Sequence, residues 1–339
     1  MAATTAPAGG EPVDPKPGLE PPDTVVAGVA GEAGVADLAD VATLAGAARA
    51  PAVCLDLERP HLVSLPGGTF LMGSDAGEGF AEDGEGPARH VQVSPFSIAD
   101  TPVTNAQFRA FVRATQYITE AEQYGSSFVF WLQLPPERRQ AARRTALDLP
   151  WWVPVEGACW QRPHGPGSSI LDRLDHPVVQ VSWHDAQAYC AWAGVRLPTE
   201  AQWEFAARAG RQGHRYPWGD DIPPEGRGVC QIWRGRFPDQ PEPGWEVGTV
   251  AARHFAPNGY GLYQLAGNVW EWCADWFSPR YHLDTASADP EQPIPTGRRT
   301  MRGGSFLCHA SYCNRYRVAG RSSNSPSSAT SNIGFRVAL

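Results

Sequence analysis

The sequence predicts an α+β protein with unusually little regular secondary structure. Three observations predict it. The 339 residues include 35 glycines and 32 prolines, a density of turn formers that keeps elements short. Three segments carry complete helix-start signals, and all lie before Gly210. After Gly210, short aromatic-bearing segments alternate with Gly/Pro turns, and 13 tryptophans supply core bulk that long helices would otherwise provide.

Taken in order, residues 1–54 are Ala, Gly, Pro, Val and acidic residues with almost no aromatics. They read as a disordered or loosely attached extension, with one weak helix around Val35 to Ala48. The folded domain is expected over 55–339. Leu62 to Met72 reads as strand interrupted at Gly67-Gly68, and His90 to Ser94 alternates with period two. The acidic stretch between them, Asp75, Glu78, Glu82, Asp83 and Glu85, reads as a solvated loop.

Thr104 caps a helix with Gln107 in the capping-box position and Phe108, Phe111 and Val112 on one face. Arg138, Arg139, Arg143 and Arg144 lie in a helix-like stretch and read as a solvated face. Ser182 caps a helix with Asp185 three residues on and Gly194 past its end. Thr199 caps another, with Gln202 in the box position and Gly210 as the stop. No tandem repeat is visible.

The charge balance narrows the function classes. Net charge is −8 and no Lys/Arg run forms a nucleic-acid footprint. No segment reaches the roughly 18 apolar residues of a membrane span. No basic region followed by an apolar run marks a secretory signal. Seven cysteines, mostly scattered singly, fit a reduced, cytoplasmic setting. A monomer without nucleic-acid or membrane partners is expected.

The informative stretch runs from Arg302 to Arg317 and holds Cys308 and Cys313. Cysteines five apart fall on opposite faces of a strand. On a helix they are about 140° apart. A local turn entered through Gly303-Gly304 brings them together. Three readings stay open: a structural disulfide, a structural zinc site, and a redox or soft-metal site. The first sits poorly with a reduced setting. The second needs four ligands, and no second Cys-x-x-Cys or His pair stands out. In the third, two thiolates suit soft Cu(I), with Arg302, His309, Arg315 and Arg317 available to lower the thiol pKa values.

Distinctive motifs recur in order along most of the chain. They include Pro102-Val103-Thr104-Asn105, Thr119-Glu120-Ala121-Glu122, Pro150-Trp151-Trp152, Arg196-Leu197-Pro198-Thr199-Glu200-Ala201 and Pro217-Trp218-Gly219. Gly267-Asn268-Val269-Trp270-Glu271-Trp272, the paired-cysteine stretch and Asn332-Ile333-Gly334-Phe335-Arg336 complete them. With these the chain resembles the formylglycine-generating enzymes of the sulfatase-modifying factor family. The wider superfamily shares the Gly-Asn-x-Trp-Glu-Trp and Gly-Phe-Arg elements without the cysteine pair, so the pair points to this activity.

The resemblance implies the family's α+β fold, related to C-type lectins. It implies an O2-dependent oxidoreductase that converts a cysteine of an unfolded polypeptide, typically in a sulfatase Cys-x-Pro-x-Arg motif, to Cα-formylglycine. A thiol reductant supplies electrons. By similarity, Cys308 and Cys313 hold Cu(I), and Ser305 and Trp270 flank the oxygen pocket. Trp151, Tyr312, Arg315 and Asn332 contact the substrate peptide. Structural calcium is carried over to Gln264, Gly267, Val269 and Glu271, and a second calcium site near Ile232 is expected to be weak or lost. The positions that receive the substrate arginine in animal members are Pro102 and Ser126 here. Two alternatives belong to other classes: an iron-type enzyme forming sulfoxides on small thiols, which relies on a histidine cluster, and a non-catalytic peptide-binding paralogue.

Overall fold

Helix starts are where local chemistry acts most directly in this chain. In the computed structural model, which describes residues 59–142 and 151–339, four Thr or Ser side chains each accept from the backbone N–H three residues on. In each case the residue at that third position returns a side-chain oxygen to the cap's N–H, completing the capping box. The extension 1–54, the weak helix at Val35 to Ala48, Arg143 and Arg144 lie outside the described residues.

Strand β1 (Leu62–Leu65) pairs antiparallel with β4 (Phe96–Ala99), and β2 (Gly68–Met72) with β3 (Arg89–Val93). The break between β1 and β2 falls at Gly67, where a Cβ would lie 2.3 Å from the Val93 carbonyl oxygen. Helix α1 (Asn105–Thr115) starts at Thr104, as the sequence predicts. Helix α2 (Glu120–Tyr124) starts at Thr119. Its capping box was readable in the sequence, but five residues are too few to show a periodicity. Strand β5 (Ser126–Phe130) pairs antiparallel with β6 (Trp152–Glu156), and α3 (Pro136–Ala142) lies between them in the chain. Arg139 of α3 turns inward and donates to the Leu132 and Leu134 carbonyls, so it does not belong to a solvated face.

Helix α4 (Trp183–Ala193) ends at Gly194 in the left-handed conformation, as expected. Helix α5 (Glu200–Arg208) ends one residue before the expected glycine. Ala209 takes the left-handed position at φ 45°, with its N–H on the Phe205 carbonyl, and Gly210 follows at φ 79°. Two-residue strands β7 (Gly235–Arg236) and β8 (Gln240–Pro241) form a small antiparallel pair. Strand β9 (Trp270–Trp276), the one-turn helix α6 (Tyr281–Asp284), β10 (Arg299–Arg302), β11 (Arg321–Asn324) and β12 (Ile333–Phe335) follow. They build the largest sheet, in the order β11-β10-β9-β12, antiparallel except for β12 beside β9. The α+β expectation and the scarcity of regular structure both hold.

A chain with so much irregular backbone must satisfy buried carbonyls some other way. Arginines do much of it. Arg302 donates to the Val318, Ala319 and Gly320 carbonyls. Arg321 donates to those of Asp83, Gly84 and Ser278, and Arg336 to those of Ala99 and Tyr263. All three are completely buried, and each also faces a carboxylate: Arg302 meets Glu204, Arg321 meets Glu200, and Arg336 meets Glu271. Guanidinium groups with fixed forks of donors thus serve as cross-ties between loops. The apolar core packs around them, with Phe108, Phe111, Tyr189 and Phe335 in mutual ring contact between α1, α4 and β12.

A buried dithiol turn beside an aromatic groove

Strand β10 delivers the chain into the turn that carries both cysteines. Gly303 and Gly304 follow it at φ 93° and 70°, a region open to glycine. The Cys308 N–H then donates to the Ser305 carbonyl (2.9 Å), and the Tyr312 and Cys313 N–H groups to that of His309 (3.0 and 3.1 Å). These tight turns bring Cys308 and Cys313 into a shared hydrogen bond, which no regular element allows at this spacing. Both are buried, at 2% and 3% exposure. All six cysteines among the described residues are free thiols.

The two sulfurs are unlike. Burial pushes the Cys308 thiol well above its ordinary value, and the neighbouring Cys313 adds to this. Burial also acts on Cys313, but the hydrogen bond from Cys308, the Arg315 N–H and the Arg315 charge outweigh it and hold Cys313 below its ordinary value. Two thiols whose pKa values are pushed apart in this way form an asymmetric pair, with Cys313 the more readily ionised.

Ser305 lies next to this pair. Its N–H points at Cys308 Sγ (3.4 Å), and its Oγ accepts from Asn332 Nδ2 (3.0 Å) and the Leu307 N–H (3.3 Å). Thr330 Oγ1 donates to Asn332 Oδ1 (2.6 Å), which fixes the amide's orientation. Asn332 is only 5% exposed, and its side chain bonds Ser305 and Thr330. Trp270, on β9, donates its N–H to the Asn332 carbonyl, and its ring shares an apolar cluster with Cys308 and Cys313.

Arg315 is engaged with a carboxylate. It is 4% exposed and grips Asp83 through Nε (2.6 Å) and Nη2 (2.9 Å). Arg317 grips Glu85 through two bonds of 2.6 Å. The acidic stretch expected to be a solvated loop therefore has two buried carboxylates. They are the counter-charges of arginines 232 residues away, because a guanidinium buried beside the thiols needs one. Of the four basic residues expected to tune the thiols, Arg302 is committed to Glu204, Arg317 to Glu85, and His309 to Ser311 Oγ (2.7 Å). Arg315 is the one whose charge acts on both sulfurs.

A cluster of aromatic rings adjoins the turn at Tyr312. Trp151 and Tyr312 meet edge to face at 5.4 Å, and both are half-buried. Between them the sequence reading missed Phe237, which stacks on Tyr312 at 4.4 Å and meets Trp151 at 5.6 Å. Nothing in its local pattern marks it. Pro102 is buried and Ser126 is half-buried at the start of β5.

The expected calcium donors split. Gln264 holds a left-handed backbone conformation (φ 57°), and its buried Oε1 has no hydrogen-bond partner, as an oxygen ligand awaiting a cation would. Glu271 is already engaged: Arg336 spans both its oxygens (2.9 and 3.0 Å) and the Trp203 indole donates to Oε2 (2.7 Å). Its carboxylate serves a cation only by sharing an oxygen. Gly267 lies against Gln231, close enough that a Cβ would meet the Gln231 carbonyl oxygen at 2.2 Å, and Val269 is buried just beyond. Ile232 is buried with its side chain against Gly267. Among the described residues, no group of three or more His, Cys, Asp or Glu side chains could hold a metal ion.

The family model for the sulfatase-modifying factor enzyme 1-like domain matches residues 49–339. The formylglycine-generating enzyme of Thermomonospora curvata is 55% identical over 282 residues, covering 82% of this chain and 92% of that protein. The inactive C-alpha-formylglycine-generating enzyme 2 of Bos taurus is 47% identical over 283 residues, 82% of this chain and 87% of that protein. Among solved structures, PvdO from Pseudomonas aeruginosa superposes with a TM-score of 0.59 at 25% identity, covering 82% of this chain and 94% of that one. Identity at this level across nearly the whole length of such relatives, on a dithiol turn of this geometry, shows that the chain belongs to the sulfatase-modifying factor family.

Proposed function

We propose that this protein uses O2 to oxidise a cysteine of an extended polypeptide, such as an unfolded sulfatase, to Cα-formylglycine. The observation that carries the reading is the buried pair Cys308–Cys313 brought together in one turn, with the Trp151–Phe237–Tyr312 ring cluster adjoining it in the chain at Tyr312. The donor set fits Cu(I): two soft sulfurs, one with its pKa held below the ordinary thiol value. When bound, the copper would acidify the incoming substrate thiol and supply a centre at which O2 reacts. The Arg315 charge helps hold the Cys313 pKa below its ordinary value. Asn332 orients the Ser305 hydroxyl beside the sulfurs, and Trp270 keeps bulk water from them. Trp151, Phe237 and Tyr312 hold the peptide by apolar contact.

The readout of a substrate arginine is weakened in this reading, because Pro102 and Ser126 offer it no carboxylate. Structural calcium at Gln264 is supported by the partnerless Oε1, with Glu271 shared between the cation and Arg336. The existence of an inactive relative makes a non-catalytic role the second reading. Retention of both thiols, together with Ser305 and Asn332, favours catalysis.

The test is mass spectrometry of a Cys-Thr-Pro-Ser-Arg peptide incubated aerobically with Cu(I)-loaded protein and a thiol reductant. Replacement of the thiol by an aldehyde is the expected outcome. Cys308→Ser and Cys313→Ser should each abolish it, and full turnover by either variant would refute the dithiolate mechanism.

A further inference from the structure

The proposed reaction leaves one requirement unmet by the groove. Converting the methylene thiol of a peptide cysteine to an aldehyde with O2 releases hydrogen sulfide and water, and it consumes two further electrons and two protons. With a thiol reductant these come from two thiols joining as one disulfide. Cys308 and Cys313 are 2% and 3% exposed, so a reductant at the surface does not touch the sulfurs.

Near the turn, three further aromatic rings form a continuous stack. Tyr316 and Tyr216 lie parallel, 5.8 Å apart with planes at 9°. Tyr216 and Trp218 lie parallel, 5.3 Å apart at 8°. The stack begins at the thiols. A Cβ placed on Gly304 would lie 3.1 Å from Cys308 Sγ and 3.1 Å from Tyr316 Cβ, so sulfur and tyrosine face each other across a glycine. It ends at the surface, where Trp218 is half-exposed and its indole N–H is held by the Asp221 carbonyl (2.9 Å). The two phenols belong to neighbouring stacked rings, and each acts on the other's ionisation. The Arg215 guanidinium lies 5.4 Å from the centre of the Tyr216 ring and is itself held by Glu78 (2.9 Å).

We propose that Trp218, Tyr216 and Tyr316 form an electron relay that carries reducing equivalents from a thiol reductant at the surface to the Cys308–Cys313 site. This rests on the function proposed above. Electron tunnelling weakens exponentially with distance, and rings in contact divide one long step into short ones. Tyr and Trp are the side chains whose one-electron oxidation is accessible to an O2-derived oxidant. In each passage the oxidised site takes an electron and the phenol proton from Tyr316, one of the two protons the reaction consumes. Tyr216 returns an electron and a proton to Tyr316, and regains an electron from Trp218 and, through solvent, the proton the outside thiol sheds on ionising. A thiolate outside re-reduces Trp218 and becomes a thiyl. Two passages supply the two electrons, and the two thiyls close to a disulfide.

The test reads the relay without copper or peptide. A ruthenium photo-oxidant is attached through Asp221→Cys, in a Cys54→Ser background, on the metal-free full chain. Transient absorption should show the tryptophan radical decaying as a tyrosyl radical grows. Tyr216→Phe keeps the ring but removes the oxidisable phenol, and should slow that transfer at least tenfold. Trp218→Phe should abolish the early tryptophan signal. A tyrosyl yield and rate unchanged in Tyr216→Phe would overturn the relay. In turnover, Tyr216→Phe should lower kcat at unchanged peptide KM, whereas a merely structural ring would leave both alone. If the parent protein transfers the radical but never converts peptide, the functional reading fails and the relay's electron path does not.

Discussion

Arg315→Met tests the link between the buried ion pair and the thiols. The guanidinium and Asp83 are held by bonds of 2.6 and 2.9 Å, with both side chains 5% exposed, so water cannot take the place of either partner. Removing one member of such a pair costs about 3–5 kcal/mol, because the other is left buried and charged. Asp83→Asn should cost a similar amount. The double variant leaves no uncompensated charge and should fall well short of the sum, with a coupling near the upper end of about 0.5–3 kcal/mol. Urea unfolding followed by tryptophan fluorescence gives all four corners of the cycle. The same proteins then report on chemistry. Loss of the Arg315 charge raises the Cys313 pKa, so its reaction with a small thiosulfonate should shift to higher pH in Arg315→Met and not in Asp83→Asn. Single variants within about 1 kcal/mol of the parent (a loss typical of exposed pairs), or strictly additive costs, would refute the buried pair. An unchanged thiol profile in Arg315→Met would refute its action on Cys313.

Three further expectations follow from the same geometry. Asn332→Ala removes the 3.0 Å donor that orients Ser305, and at about 1 kcal/mol for such a bond it should lower kcat roughly fivefold to tenfold while peptide KM stays put; a change confined to KM would place Asn332 in the substrate groove. Gly304→Ala places a methyl 3.0 Å from Tyr316 Cα and 3.1 Å from Cys308 Sγ at φ 70°, and should destabilise by about 1–3 kcal/mol and alter Cys308 reactivity; an unfolding curve and thiol profile like the parent's would contradict the close approach. Burial opposes ionisation of Glu204, but Arg208 and Arg302 overcome it and pull the carboxyl down to about 2. A depressed folded value means stability present above the ordinary 4.5 and lost as pH falls toward 2, so the stability gap between parent and Glu204→Gln should narrow over that interval. A gap independent of pH would show that Glu204 is not ionised in the folded protein.

Much of the local architecture was legible in the chain itself. Thr104, Ser182 and Thr199 start helices where their capping boxes say, and Gly67-Gly68 breaks the first strand, because each signal is complete within four residues. For Cys308 and Cys313 to meet, the chain needs a turn between them, since neither regular backbone brings residues five apart together. The motifs from Pro102 to Arg336 identified the family for the same reason: they are short and ordered.

What tertiary structure alone decided concerns partners far apart in sequence. Nothing near Asp83 or Glu85 says that Arg315 and Arg317 will bury against them, and nothing near Glu271 says that Arg336 will take both its oxygens. Phe237 completes the groove, and Tyr216 links Tyr316 to Trp218, only because separate loops converge there. Spacing along a chain encodes hydrogen bonds and periodicities a few residues long. Which buried cation meets which carboxylate, and which ring lies on which, is settled by the desolvation cost of leaving any of them unpaired, and that cost exists only once the core has closed around them.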